Sequence, residues 1–121
     1  MSYLNTEVGG DHYKKCKMQP YKYITEADLS FTQGNIAKYI TRCWDKNGIQ
    51  DIEKCVHYAQ LGKEFGDVRK TSVLLADRFC KVNGLDAERT AVILANASGD
   101  YDRVIMLCER IIRANTKNSE Q

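Results

Sequence analysis

Three short stretches of the 121-residue chain place acids, bases and rings at spacings that could do chemistry. The first is Gly9-Gly10-Asp11-His12-Tyr13-Lys14-Lys15. Paired glycines permit a tight turn with exposed backbone N–H groups. Asp11 and His12 add a carboxylate and an imidazole, and the two lysines add cations. A solvated turn, with His12 hydrogen-bonded to a neighbouring carbonyl, is the plain alternative. The second stretch is Gly34-Asn35-Ile36-Ala37-Lys38-Tyr39-Ile40-Thr41-Arg42. In a helix Asn35, Lys38, Tyr39 and Arg42 share one face. An Arg fork and a Lys point charge there suit a phosphate, helix N-termini attract anions, and Tyr39 could stack on a base. An ordinary solvent-facing basic stripe would look the same. Ile36, Ile40, Cys43 and Trp44 fall on an apolar face beside it.

The third stretch is Asp51-Ile52-Glu53-Lys54-Cys55-Val56-His57-Tyr58. Asp51, Lys54 and Tyr58 share a face with Cys55 alongside, while Glu53 and His57 lie four apart on another. If this helix runs antiparallel to the one before it, Asp51 meets Arg42. The pair is then structural, or it holds Arg42 ready for a ligand; alternatively Asp51 holds a magnesium ion. No P-loop, dinucleotide-binding glycine motif, nucleophile elbow or zinc-deaminase signature occurs. His12 and Cys16 are four apart, but no close Cys pair accompanies them, so no metal ligand set is assigned.

The elements that must position these residues are all helical. Apolar spacing follows three- and four-residue steps throughout, and the chain has a single proline, Pro20. Pro20 suits the first turn of a short helix, Tyr21 to about Asp28. Ser30 or Thr32 caps a second helix running to about Asp45. The Lys46-Asn47-Gly48 link leads to a third, Ile49 to Phe65, with Ile49, Ile52, Val56, Ala59 and the Lys63 stem inward. The two form an antiparallel hairpin. Ser72–Val82 turns Val73, Leu74, Ala76, Phe79 and Cys80 inward. Asp86 caps Ala87–Ala97. Asp100 caps Tyr101 to about Ala114, with Val104, Ile105, Leu107, Cys108, Ile111 and Ile112 inward, and a frayed polar tail follows from Thr116. The expected architecture is all-α: a compact helical domain with a central antiparallel helix hairpin and a C-terminal helical packing unit. Residues 1–66 carry the chemistry, and residues 67–121 serve packing or oligomerisation.

Composition narrows the function. A net charge of +2 is too small for indiscriminate coating of nucleic acid, so an anion must sit in a local site. No window suits a membrane helix and no signal peptide is visible. Five cysteines with no close pair argue for a reducing compartment and for small buried thiols.

On Gly10-Asp11-His12-Tyr13, the Gly34–Arg42 stretch and the Asp51–Tyr58 stretch, the chain resembles a phage-encoded family, SaV-like and described as nucleotide kinases. That family includes the nucleotide kinase of the podoviruses that infect enteric bacteria. Its members show a GDHY-like start, a Gly-Asn-x-x-Lys-Tyr-x-x-Arg helix and an Asp-x-x-Lys-x-x-x-Tyr helix; Gln19–Ile24 also fits. The resemblance covers about residues 8–66. It implies a protein of the bacterial host cytoplasm, without a Walker motif, that transfers phosphate from a nucleoside triphosphate to a deoxynucleoside monophosphate. Lys38, Arg42 and Lys54 would neutralise phosphates; Asp11 or Asp51 would bind Mg2+ or orient the acceptor; His12 would bridge phosphates or shuttle a proton. Asn35 would join the phosphate cradle, and Tyr13, Tyr39 or Tyr58 would hold the base. A homo-oligomer is implied as well, with no membrane and no sequence-specific nucleic acid as partner. Two other readings remain: the same cluster could sequester a nucleotide, including an antiviral signal, without turnover, or the helices after Ser72 could carry an exposed apolar patch that inhibits a host enzyme.

Overall fold

The computed structural model describes residues 3–5 and 16–120, and side chains through Thr116. Among them lie six α-helices and no strand: α1 Pro20–Glu26, α2 Phe31–Arg42, α3 Ile49–Phe65, α4 Val73–Asn83, α5 Ala87–Ala97 and α6 Tyr101–Glu120. Short 3-10 turns occupy Tyr3–Asn5 and Cys43–Asp45. No helix among the described residues is long and apolar enough to cross a membrane.

α2 and α3 form the expected hairpin. Ser30 accepts from the Gln33 N–H and Gln33 bonds back to the Ser30 N–H, a reciprocal cap that fixes where α2 begins. The hairpin link turns at Gly48, whose φ of 57° and ψ of −128° suit glycine alone. α3 lies between α2 and α6; α5 packs on both α2 and α6, and α4 packs on α5 and α1. One apolar core crosses residue 66, joining Ile36, Ile40, Ile52 and Ala59 to Phe79, Ile93, Val104 and Ile111. Cys43, Cys55, Cys80 and Cys108 are buried in it, and Cys16 is half-buried.

A polar network closes the open end of the hairpin. Gln33, fully buried, donates to the carbonyls of Arg69 (2.6 Å) and Asn96 (2.8 Å) and accepts from the Arg69 N–H. Asn96 donates to the Gln33 carbonyl. Asp67 accepts from the Thr32 N–H at 2.9 Å, which holds its carboxyl below the usual value. Its own carbonyl accepts the Tyr101 hydroxyl at 2.6 Å.

Several expectations are corrected. α1 stops at Glu26, because Asp28 turns into the left-handed region at φ 56°. α2 stops at Arg42 and the 3-10 turn follows; its tighter winding swings Trp44 off the apolar face, leaving it 44% exposed. Val73 and Leu74 belong to the first turn of α4, beyond the edge of the core, and Leu74 is 84% exposed while Ala76, Phe79 and Cys80 are buried. Lys63 points outward to pair with Asp102, and Gly62 fills the inner position instead. α6 continues through the expected frayed tail to Glu120.

Gly62 is demanded by close approach. A Cβ there would stand 2.5 Å from Tyr101 Cε2 and 2.8 Å from Thr32 Cγ2. Gly62→Ala gains about 1 kcal/mol of helix propensity, but it displaces the ring whose hydroxyl bonds Asp67. Overpacking of this kind costs about 1–3 kcal/mol. The expected outcome is a lower melting temperature with unchanged helical content, read by circular dichroism.

Candidate functional site

The site grows from the closed end of the hairpin. Arg42 is the last residue of α2 and Asp51 lies in the first turn of α3, so the short link sets them face to face. Arg42 Nε reaches Asp51 Oδ2 at 3.3 Å, and Nη2 reaches Oδ1 at 3.4 Å. Lys54 Nζ stands 3.5 Å from Oδ1, and Asn47 donates to the same oxygen at 3.4 Å. The Asp51 side chain is wholly buried. Burial raises its pKa, but the hydrogen bonds and charge of Arg42, aided by Asn47, win and hold it below the ordinary carboxylate value. Both oxygens accept from donors, so Asp51 orients Arg42 and Lys54.

Tyr39 gathers the cations. Lys38 Nζ lies 4.5 Å, Arg42 Cζ 4.6 Å and Lys54 Nζ 4.8 Å from its ring centroid. These are cation–π distances. Tyr58 stacks on Tyr39 at 5.9 Å and 18°. Phe31 meets Tyr58 edge-on at 6.3 Å and 71°. Tyr39 is therefore flanked by charge and by Tyr58, and it is the hub of the cluster. An open groove of about 550 Å³ adjoins them, bordered by Tyr39, Glu53, Lys54, His57, Tyr58 and Leu61.

The structure thus unites Lys38, Tyr39, Arg42, Asp51, Lys54 and Tyr58. Asn35 sits a turn earlier on the same stripe, but its amide back-bonds to the Phe31 carbonyl at 3.0 Å. Asp11, His12 and Tyr13 lie outside the described residues. Sequence reasoning missed Phe31, Asn47 and Leu61 as parts of this surface. An aromatic at the first position of a capped helix was the available signal for Phe31. Cys55, read as lying beside the polar face, is fully buried.

The fold is that of an all-α protein whose helical hairpin gathers three cations around one tyrosine beside an open groove. Residues 8–60 match the model of a family of proteins of unknown function, DUF3310. All three motifs fall inside that match, and α4 to α6 lie beyond it. No curated protein and no solved structure matches the chain.

Asp51→Asn removes the charge that balances Arg42 in a partly buried setting. Breaking such a pair costs about 3 kcal/mol, and thermal denaturation should show it. Because the folded pKa is depressed, the stabilisation is complete above the ordinary carboxylate pKa of about 3.9 and is lost as pH falls through the folded value. Wild-type stability should therefore decline on acidification below about pH 4 more steeply than that of Asp51→Asn. Parallel declines would mean that Asp51 carries no special linkage.

Proposed function

We propose that the protein binds a nucleotide on the α2–α3 face, with its phosphate on Lys38, Arg42 and Lys54 and its base in the groove beside Tyr58. One observation carries this reading: three cations crowd a single ring and one carboxylate accompanies them. Lys38 and Arg42 are four apart on one helix, a like-charge spacing that costs about 0.2–0.5 kcal/mol. Asp51 offsets one of the three charges. Glu53 on the groove's border offsets part of the remainder, and a phosphate monoester supplies the anion that the still positive cluster lacks. Planar rings beside the charges suit a base better than a bare phosphate.

The resemblance implies a further step, transfer of a phosphoryl group from a nucleoside triphosphate to the bound deoxynucleoside monophosphate. Such transfer rests on positioning and charge neutralisation more than on covalent chemistry, and the same cations would serve it. Magnesium would supply charge neutralisation at the donor phosphates; Asp51, with both oxygens engaged, supports Arg42 and Lys54 instead of the metal.

Calorimetry against the four deoxynucleoside monophosphates, with and without magnesium, tests binding; absence of binding to all four ends the reading. Incubation with ATP and magnesium tests turnover: a diphosphate product supports transfer, and an unchanged bound nucleotide supports sequestration. Lys38 is the clean probe, because it has no carboxylate partner among the described residues. Lys38→Ala should weaken nucleotide binding by about 1.5–3 kcal/mol, the range for hydrogen bonds to charged groups, with an unchanged melting temperature. Arg42→Ala should weaken binding and stability together, because it also removes the bidentate partner of buried Asp51 and leaves only Lys54 and Asn47 on Oδ1.

A further inference from the structure

We propose that the α2–α3 face takes a short single-stranded oligonucleotide, not a mononucleotide alone; the inference rests on the nucleotide reading for its anionic anchor. Lys54, Tyr58, Leu61 and Phe65 follow one another on α3 at steps of four, three and four, which puts them on one face. The first three border the groove. Phe65 continues the stripe one turn further and is 76% exposed. Phe31, from the start of α2, touches Tyr58 edge-on and is 75% exposed. Core packing explains neither phenylalanine, since most of each ring faces solvent.

The stripe is too long for one nucleotide. Lys54 to Phe65 spans ~16 Å at the ~1.5 Å rise of a helix. A stacked strand advances ~3.4 Å per nucleotide, so several fit. Charge selects the occupant. The end holding Lys38, Arg42 and Lys54 carries excess positive charge, which an apolar helix of a second copy would leave uncompensated. A nucleic acid strand satisfies both ends, with phosphates on the cations and bases on the rings. Stacking accepts any base, because each has a π face, so no sequence preference is needed. The modest overall charge of +2 fits a local footprint instead of a coat along a long strand.

The test uses the full chain, fluorescence anisotropy with a labelled mixed-sequence DNA hexanucleotide, and calorimetry with the four deoxynucleoside monophosphates. The hexanucleotide should bind roughly tenfold or more tighter than the best monophosphate, as added base stacking requires. Phe65→Ala, beyond the groove's border, should remove most of that advantage and leave monophosphate affinity and helical content unchanged, whereas Phe31→Ala, which also bares Tyr58, should lower hexanucleotide affinity at least as far. Equal affinities for hexanucleotide and monophosphate, or hexanucleotide binding indifferent to both phenylalanines, would overturn this inference alone. Failure of every monophosphate to bind sinks the nucleotide reading separately, and hexanucleotide binding that depends on the two rings would still support the longer ligand. Sedimentation supplies the competing outcome: a dimer that Phe65→Ala dissolves makes a second copy the occupant and overturns the proposal.

Discussion

A carboxylate with no solvent around it must be compensated, and Asp51 is compensated from three directions. An isolated buried charge costs several kcal/mol, so the hairpin is stable only in the arrangement that brings Arg42, Lys54 and Asn47 to it. That constraint sets the angle at which α3 leaves the link, since Arg42 ends one helix and Asp51 begins the next. It also draws Arg42 and Lys54 to one place, beside the same Tyr39 ring. The place of Asp51 in the first turn of α3 adds a favourable interaction with that helix's positive end. The bond that closes the hairpin is the one that aims the cations.

The other end of the hairpin is held by buried amides, with the ion pairs Lys63–Asp102 and Arg69–Asp28 only at its exposed rim. Gln33 satisfies both its amide donors and its oxygen against the segment after α3 and the end of α5. Its role requires full burial, where unmade bonds are costly and made ones rigidify. Asp67 and Tyr101 complete the closure by joining the segment after α3 to the starts of α2 and α6. Gly62 belongs to the same junction, because only the missing Cβ lets the Tyr101 ring lie against α3.

How much of this was legible in the sequence follows from the range of each interaction. Helix existence, the Ser30 and Asp86 caps and the reach of Arg42 to Asp51 are local, fixed by spacing within a dozen residues, and the structure has them where spacing put them. Gln33, Asp67 and Asn96 meet across tens of residues, and no local pattern marks a glutamine for burial. Trp44 and Leu74 were misplaced for a different reason. Helical periodicity was extended into a 3-10 turn and into a first turn that overhangs the core, where the period no longer decides which face is inside. Within the site, Lys38 and Arg42 are readable as a shared face of α2, and Lys54 reaches them only through the pairing of Asp51 with Arg42 across the hairpin. The role of Tyr39 as their hub is not readable, because it depends on which way three flexible side chains fold over one ring.

The division of labour along the chain is finer than a chemical part followed by a packing part. The family match ends at residue 60, inside α3. The inner face of α3, formed by Ile52, Cys55, Ala59 and Gly62, is buried, and α6 packs along that helix. The Cys55 thiol lies beside Cys108 of α6, and burial pushes its pKa up. Without α6, the hairpin would expose that face, and the surface carrying the cations would lose the support that fixes its outer side chains. α5 adds a second tie: Arg89 is held by Asp86 and donates to the Thr41 carbonyl at the end of α2. That bond satisfies a terminal carbonyl one residue before Arg42, where a positive group also complements the helix dipole. The C-terminal helices thus tie down the end of α2 beside Arg42, although they contribute no side chain to the groove's border.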